Sequence, residues 1–259
     1  MTVVKAKKNL GQHFLTDLNI AGKIVGSLSS NTPNVLEIGP GMGVLTQFLF
    51  QNSAYHTIAI EIDRESVAYL QQQYPAQSNC FICGDFLRYD IQPLFNAEPF
   101  SIIGNFPYNI SSQIFFKVLE HKNQIPEVVG MIQKEVAERL AAPPGSKTYG
   151  ILSVLLQAYY KIEYLFTVNE NVFTPPPKVK SAVIRLTRNE ITDLGCDEKL
   201  FKQLIKTCFN QRRKMIRNTI KPFISKDGFS HPFLTQRPEQ LSVADFVELA
   251  NAIVKFQNQ

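Results

Sequence analysis

The sequence predicts an α/β protein in which a mostly parallel sheet is followed by a small all-helical domain. From residue 34 onward, short apolar runs of strand length alternate with helix-like segments. This alternation is typical of parallel sheets that helices cover on both faces. After the run SAVIRLTRN (181–189), only helix-like stretches follow. We therefore expect two domains, residues 1–189 and residues 190–259.

The first domain opens with two strand–helix pairs. NVLEIGPG (34–41) predicts a strand that runs into a glycine turn, and GVLTQFLFQN (43–52) predicts the helix after it. HTIAIEID (56–63) and RESVAYLQQQY (64–74) repeat that order. The later elements are strands at 79–86 and 100–108, a helix at 111–121, segments in which a strand precedes a helix at 127–140 and 149–166, and helices of the second domain at 197–211, 212–223 and 242–256.

The composition is that of a globular protein with a sizeable core. Of the 259 residues, 44% are hydrophobic and 19% are charged, and the net charge is +5. A mildly basic chain is compatible with a polyanionic partner. No apolar run approaches the roughly 18 residues of a transmembrane helix, and the N-terminus lacks the apolar core of a secretory signal. We expect a cytoplasmic protein that does not enter a membrane.

The cysteines and histidines predict no metal site. Cys80 and Cys83 form a CxxC pair inside a predicted strand, where residues three apart point to opposite faces. No second pair of Cys or His residues lies at zinc-like spacing. We therefore expect buried structural thiols and a reducing compartment.

Four consecutive predicted strands end in residues suited to a nucleotide-like ligand. Gly39 opens the turn GPGMG, and Glu61 ends the next strand about 20 residues later, where nucleotide-binding folds place an acid for the ribose hydroxyls. Asp85 and Asn105 end the third and fourth strands. Ligands of open α/β sheets bind at this edge. A tight turn without a ligand remains the alternative for the glycines, including Gly41.

These residues resemble the class I S-adenosylmethionine-dependent methyltransferases. VLEIGPGMGVLT resembles the cofactor turn of that superfamily, and GNFPYN (104–109) resembles the N-[LIF]-P-Y motif of enzymes that methylate exocyclic amines of nucleobases. The resemblance implies a Rossmann-like fold with a doubly wound, mostly parallel sheet. It also implies S-adenosyl-L-methionine as the cofactor. The residues expected to hold or abut that cofactor are Gly39, Gly41, Glu61, Asp85 and Asn105.

The NFPY motif offers what methylation of an adenine amine requires. The lone pair of that amine is delocalised into the ring, so the nitrogen must be oriented towards the methyl carbon. The side-chain carbonyl of Asn105 and the backbone carbonyl of Phe106 can accept hydrogen bonds from it. Pro107 fixes the backbone, and Tyr108 offers a face for stacking of an unstacked base. A simple turn is the alternative, since Asn, Pro and Gly also form turns.

Three further motifs resemble the rRNA adenine N6-dimethyltransferases, the KsgA/RsmA (Dim) family. KKNLGQHFL (7–15) is similar to the N-terminal segment that covers the cofactor, which implies that His13 and Leu15 contact it. Many members have Asn in place of His13. VFTPPPKVKSAVIRL (172–186) is similar to a loop-and-strand signature in which Phe173 stacks on the target adenine opposite Tyr108. FNQRRKMIRN (209–218) is the third match.

The third motif lies in a basic stretch. Residues 199–221 contain eight Lys and Arg residues and no acid. Such density favours contacts with RNA phosphates, although a basic helix face is often only solvated. The residues predicted to bind RNA are Arg212, Arg213, Lys214, Arg217 and Lys221.

The resemblance implies a specific reaction. The family forms N6,N6-dimethyladenosine at two adjacent adenosines in the 3′-terminal hairpin loop of 16S rRNA, in the assembling small ribosomal subunit. We expect a monomer with that partner.

Four alternatives remain at this stage. A resistance methyltransferase of large-subunit rRNA would have a nearly identical socket, although the prolines at 175–177 and the stretch 209–218 argue against it. DNA adenine methyltransferases usually carry an acid in place of Asn105. An assembly factor that binds immature subunits without catalysis is not excluded. A nicotinamide-dependent dehydrogenase would need glycine where Val44 stands.

Overall fold

A computed structural model describes residues 4–29, 32–224 and 227–258. The chain divides into two compact units. The first comprises Met1–Ala137 with Lys161–Arg188, and the second comprises Glu138–Tyr160 with Asn189–Gln259. The longer segment of the second unit, Asn189–Gln259, begins close to the boundary expected near residue 190. It also takes in the helices of residues 138–160, which sequence analysis assigned to the first domain.

The first unit contains a sheet of seven strands in the order β4-β3-β2-β5-β6-β9-β7. Strands β2 to β6 pair in parallel, and β9 pairs antiparallel with β6. The predicted mostly parallel sheet is therefore confirmed. The strand bounds are Phe14–Leu15 (β1), Asn34–Ile38 (β2), His56–Glu61 (β3), Phe81–Cys83 (β4), Ser101–Asn105 (β5), Glu127–Gln133 (β6), Tyr160–Val168 (β7), Phe173–Thr174 (β8) and Ser181–Arg188 (β9).

The helices follow the strands in the order that the sequence predicts for the first half of the chain. Asp17 and Asp63 start two of them by accepting hydrogen bonds from backbone N–H groups of the first turn. The helix bounds are Leu18–Val25 (α1), Thr46–Gln51 (α2), Arg64–Gln73 (α3), Ser111–Glu120 (α4), Lys134–Ala141 (α5), Ile151–Gln157 (α6), Glu198–Asn210 (α7), Ile216–Thr219 (α8) and Val243–Gln257 (α9).

The order of the strands places the candidate site at a topological switch point. The chain builds outward from β2 through β3 to β4 and then returns to add β5 on the other side of β2. Every residue of β2 is buried, and so are the first four residues of β5. The carboxyl ends of β2 and β5 therefore lie side by side at the edge where α/β folds bind ligands.

Two short strands lie apart from this sheet. Phe14 pairs with Thr174 and Leu15 with Phe173 in antiparallel fashion. Thr16 continues the connection, because its N–H and its hydroxyl both donate to the carbonyl of Val172, at 2.8 and 2.9 Å. The N-terminal segment is thus fastened to a part of the chain about 160 residues later.

Several predicted elements differ from the structure. Residues 149–166 form a helix and then a strand, the reverse of the expected order. The run ILSVLLQ is buried on nearly all sides and is helical, whereas YKIEYLFTV is only half-buried along its length and adds to the sheet beside β9. The helix expected at 212–223 is limited to Ile216–Thr219 and a short 3-10 turn at Lys221–Phe223, where Pro222 cannot continue an α-helix.

The expectation that Cys80 and Cys83 are buried thiols is wrong. Cys208 is buried, Cys80 is half-buried, and Cys83 is exposed at the end of β4. The strand predicted at 79–86 covers only Phe81–Cys83, because residues 75–80 form a 3-10 helix. No helix among the described residues is both long and apolar enough to cross a membrane.

The second unit has its own core between α6, α7 and α9. Phe201, Leu204 and Phe246 are almost completely buried, and the Tyr149 and Phe209 rings meet edge to face. Asp197 caps α7, and Ser242 caps α9 in a capping box with Asp245. Helical packing therefore explains why residues 138–160 join this unit.

Candidate active site

The glycine turn after β2 forms the floor of a cleft. Gly39 and Gly41 have φ angles of 66° and 56°. Both values lie in the left-handed region that glycine adopts without strain. A side chain at Gly41 would also meet the Phe14 ring at 3.0 Å. At Gly39 a Cβ would meet no atom within 4 Å, so the backbone there faces open space.

Glu61 lies beside this turn with its carboxylate fixed. The side chain is 5% exposed, and it accepts hydrogen bonds from Gly41 N at 3.1 Å and Asp63 N at 2.9 Å. Burial raises the pKa of this carboxyl, and the two N–H donors oppose that rise. Two acceptor positions of the carboxylate remain beyond these bonds. They fit the pair of ribose hydroxyls for which the sequence predicts this acid.

Glu37 is a second buried acid of the cleft, and sequence analysis missed it. It is 1% exposed, lines the cleft, and accepts a 2.7 Å hydrogen bond from the Thr46 hydroxyl. Burial raises the pKa of Glu37 to about 8, and the charge of Glu61 adds to this while the Thr46 hydrogen bond opposes it. The available signal was a single acid inside the apolar run VLEI.

Replacing Glu37 by glutamine will flatten the pH dependence of stability. The unfolded carboxyl titrates near pH 4.5 and the folded one near 8. Between these values only the folded state holds the proton, so stability falls as pH rises through this window. The wild-type free energy of unfolding should fall by about 1–4 kcal/mol across this window. The glutamine variant should show no such fall, because its side chain does not titrate. Urea unfolding of both proteins at pH 5, 6.5 and 8 measures the two slopes. Equal slopes would contradict the raised pKa.

Asn105 ends β5 and is oriented by the N-terminal segment. Its side-chain Nδ2 donates a 2.9 Å hydrogen bond to the backbone carbonyl of His13. The amide nitrogen is thereby engaged by the protein, and Oδ1 is the atom that the side chain can offer to a ligand's amine. The orientation follows from this bond, since a backbone carbonyl can only accept.

The N-terminal segment is held at both ends of the cleft. At one end Lys7 Nζ lies 2.6 Å from Asp63 Oδ1 and 3.2 Å from Glu65 Oε1. At the other end, His13 Nδ1 lies 2.7 Å from the carbonyl oxygen of Pro175. Residues 10–15 all line the cleft. The segment therefore forms a roof over the glycine turn, and we use that term for residues 7–15.

Tyr108 lies at the Asn105 end of the cleft. Its hydroxyl is 2.6 Å from the Oγ of Ser181, which is fully buried at the start of β9. Phe106 is 1% exposed, and its ring lies so close to Gly130 that a Cβ there would approach to 2.5 Å. The small residue on β6 thus makes room for Phe where Leu or Ile is commoner in the motif.

Two of the predicted site residues are placed away from the cleft. Phe173 is 3% exposed and packs in a hydrophobic core cluster with Leu15 and Val168. Asp85 follows β4 but does not line the cleft, and its Oδ1 accepts from Leu87 N at 2.9 Å. The other predicted residues of this site, His13, Leu15, Gly39, Gly41, Glu61, Asn105, Phe106, Pro107 and Tyr108, all line it.

A buried lysine holds the loop that carries Asp85. Lys117, from α4, donates to the backbone carbonyls of Phe86, Leu87 and Tyr89, and the first two distances are 2.6 and 3.3 Å. Its side chain is almost completely buried, and burial lowers its pKa. The three hydrogen bonds from the Lys117 ammonium group therefore fix the backbone of the loop after Asp85.

The predicted RNA-binding residues lie in the helical unit and differ in exposure. Arg213, Lys214, Arg217 and Lys221 are exposed. Arg212 is half-buried, and its Nη2 donates to the carbonyl of Lys147 at 2.8 Å while its Nε lies 4.0 Å from Glu239. Arg212 thus binds residues of its own unit.

The cleft has the donor set that a nucleoside cofactor requires. A buried carboxylate, a backbone turn without side chains and an oriented amide converge on it. These groups fit S-adenosylmethionine. Among residues 4–29, 32–224 and 227–258, no group of three or more His, Cys, Asp or Glu residues is arranged to hold a metal ion.

The chain resembles known proteins over nearly its full length. The family model described as Ribosomal RNA adenine dimethylase matches residues 3–255. Ribosomal RNA small subunit methyltransferase A of Bacteroides fragilis is 59% identical over 257 residues, covering 98% of this chain and 94% of the relative.

Two crystal structures share the fold. A dimethyladenosine transferase from Plasmodium falciparum has a TM-score of 0.79 and 26% identity, covering 95% of this chain and 98% of the other. The 23S rRNA methyltransferase ErmE has a TM-score of 0.68 and 24% identity, covering 92% and 99%. Together with the strand order, these likenesses confirm the predicted Rossmann-like methyltransferase fold.

Proposed function

The chain belongs to the ribosomal RNA adenine dimethylase family, and from this premise we propose that it dimethylates two adjacent adenosines of 16S rRNA at N6. The reaction takes place in the cytoplasm on the assembling small subunit, with the chain acting as a monomer. The identity of 59% with a small-subunit enzyme favours this substrate over the large-subunit one, because the likeness to ErmE concerns the fold.

The orientation of Asn105 is the observation that carries the proposal. Its Nδ2 is engaged by the His13 carbonyl, so its Oδ1 is available as an acceptor at the carboxyl end of β5. Glu61 lies at the carboxyl end of β3, on the other side of β2. The Glu61 carboxylate can accept hydrogen bonds from the ribose of the cofactor, and Asn105 Oδ1 can accept one from the target amine. Methyl transfer to adenine requires both.

S-adenosylmethionine supplies an electrophilic methyl group when it is bound. The chain's own residues orient the two partners. Glu61 accepts hydrogen bonds from the ribose hydroxyls, and the roof excludes water from the glycine turn. Asn105 Oδ1 and the Phe106 carbonyl accept hydrogen bonds from the target amine and stabilise the positive charge that develops on it. Tyr108 supports the base by stacking. The amine then releases its proton to solvent.

Methyl transfer to separated ribosomal subunits tests this proposal. Radiolabelled S-adenosylmethionine is mixed with the protein and undermethylated small subunits, large subunits or duplex DNA, and the product nucleosides are identified by mass spectrometry. We expect N6,N6-dimethyladenosine from small subunits alone. Label in large subunits or DNA would refute the substrate. Tight binding to small subunits without any label would indicate an assembly factor.

The predicted contributions of Phe173, Asp85 and Arg212 stay predictions. Phe173 can stack on adenine only if its ring leaves the core in which it is buried. Asp85 can reach the cofactor only if its loop shifts towards the cleft. Arg212 can meet a phosphate only with the guanidinium edge that Lys147 and Glu239 leave available.

Removing exposed charges from the helical unit will weaken rRNA binding in a salt-dependent way. Changing Arg213 and Lys214 to glutamine should lower the affinity for small subunits at low salt. The slope of log affinity against log salt should fall by about 0.7–0.9 for each phosphate that the protein no longer neutralises. Lys255→Gln, an exposed charge on α9, serves as the control. Equal slopes for the double variant and the wild type would show that these residues only face solvent.

A further inference from the structure

A single hydrogen bond joins the NFPY motif to the start of β9. The Tyr108 hydroxyl and the Ser181 Oγ lie 2.6 Å apart. Ser181 is fully buried, whereas Tyr108 is half-buried and lines the cleft. Given the proposed function, on which this inference rests, we propose that Ser181 is a positioning residue of the reaction. Its hydroxyl holds the Tyr108 ring in the orientation in which the ring stacks on the target adenine.

The direction of β9 explains how the first residue of a strand reaches the site. Strands β5 and β6 are parallel, so both end at the ligand-binding edge. Strand β9 is antiparallel to β6, and Ser181 pairs with Gln133, the last residue of β6. A strand that runs in the opposite direction begins where its neighbour ends. The Ser181 hydroxyl therefore lies at the same edge of the sheet as Asn105, two strands away.

The Tyr108 ring needs a contact from outside its own segment. Tyr108 lies in a turn beyond the end of β5, so no strand pairing fixes its side chain. Its carbonyl accepts a hydrogen bond from Ser111 Oγ at 3.2 Å, which holds the backbone but not the ring. The His13 ring lies beside it with centroids 5.6 Å apart, but His13 belongs to the roof. Ser181 belongs to the sheet and gives the ring a contact with the rigid part of the fold.

A fixed ring serves the chemistry of methyl transfer. Asn105 Oδ1 orients the target amine, but the lone pair points at the methyl carbon only if the plane of the base is also defined. The Tyr108 ring defines that plane by stacking. A side chain that has to be immobilised when the base binds lowers affinity by about 2- to 12-fold. The bond to Ser181 immobilises the ring beforehand.

Two single variants and their combination test this role. Ser181→Ala and Tyr108→Phe each remove the hydrogen bond and leave the aromatic ring in place. We measure kcat/KM for undermethylated small subunits at saturating S-adenosylmethionine. Each variant should lower it by about 2- to 12-fold. The double variant should lie within about twofold of the more impaired single variant, because both changes remove the same interaction.

The Tyr108→Phe background separates positioning from a merely structural role. If Ser181 acts through the Tyr108 hydroxyl, Ser181→Ala has no further effect on kcat/KM once that hydroxyl is gone. If Ser181 only supports the packing of β9, its loss lowers kcat/KM in either background. Thermal unfolding shows whether each variant is folded at the assay temperature. Tyr108→Phe still tests the bond if Ser181→Ala does not fold.

Ser101→Ala is the matched control. Ser101 is also the first residue of a strand of the same sheet, β5, and it is 1% exposed. Its Oγ has no hydrogen-bond partner within the described part of the chain. It lies at the amino end of β5, away from the ligand-binding edge. The control thus removes a buried serine hydroxyl without touching Tyr108, and we expect kcat/KM within about 1.5-fold of the wild type.

Three outcomes would overturn the assignment. Ser181→Ala could be as active as Ser101→Ala, so that the hydroxyl has no part in the reaction. Tyr108→Phe could be fully active while Ser181→Ala is impaired, so that Ser181 acts by another route. The two single effects could multiply in the double variant, so that the residues act independently. Failure of the proposed function is distinguishable, since the wild type would then not methylate small subunits.

Discussion

The variant Asn105→Ala will lose methylation of small subunits by about 100- to 1,000-fold in kcat. Alanine removes the acceptor that orients the amine and stabilises its developing charge, and such preorganised groups contribute about 2.7–4 kcal/mol to a transition state. It also leaves the His13 carbonyl without its donor, so the roof loses one of its fastenings. Single-turnover rates with labelled cofactor and undermethylated small subunits measure the effect.

Two companion variants define what the side chain does. Asn105→Asp keeps an acceptor but turns a carboxylate oxygen towards the His13 carbonyl, so we expect a partial loss together with a less stable roof. Asn109→Ala removes an exposed amide four residues later and should retain nearly full activity. If Asn105→Ala were as active as Asn109→Ala, the orientation of Asn105 would have no part in the reaction.

The variant Glu61→Gln will weaken S-adenosylmethionine binding by about 10- to 150-fold. Hydrogen bonds to a charged group are worth about 1.5–3 kcal/mol, and an amide cannot accept on both sides as a carboxylate does. The two backbone donors, Gly41 N and Asp63 N, meet opposite oxygens of Glu61, so one of them would face the NH₂ group of glutamine. The glycine turn would be disturbed in the same step.

Calorimetric titration of the free protein with S-adenosylmethionine measures this loss directly. Glu65→Gln is the matched control, because Glu65 is 65% exposed and contacts Lys7 at the outer end of the roof. We expect less than a threefold change there. Equal affinities for Glu61→Gln and the wild type would contradict the assignment of the ribose to Glu61. At saturating cofactor, Glu61→Gln should recover much of its rate, whereas Asn105→Ala should not.

The first half of the fold was predictable because its strands are predominantly apolar. Strands β2 and β5 are buried along nearly their whole length, so a mostly apolar run ending in a turn marked each of them. Residues 149–166 were misread because a fully buried helix and a strand both give apolar runs. Composition cannot separate the two when neither shows a clear period. Pro222 did carry a signal against the long helix expected at 212–223.

The site residues at the carboxyl ends of the parallel strands could be predicted from the sequence. Gly39, Glu61 and Asn105 converge because neighbouring strands of a parallel sheet end at one edge. The ring opposite Tyr108 was not predictable in this way. His13 reaches Tyr108 through a segment far away in sequence, and Phe173 is turned into the core by its pairing with Leu15. Tertiary packing determines where the His13 and Phe173 rings lie, and the pattern of a single sequence does not reveal that packing.

The pairing of Leu15 with Phe173 sets the order in which a newly made chain completes its site. Synthesis runs from the N-terminus, so the roof residues and Asn105 leave the ribosome long before residue 173 exists. The roof then has no strand to pair with, and the His13 side chain lacks its anchor at Pro175. A nascent chain therefore carries Asn105 before the segment that orients its side chain is secured. Competence to bind and methylate arrives late in translation, with the loop at 172–175.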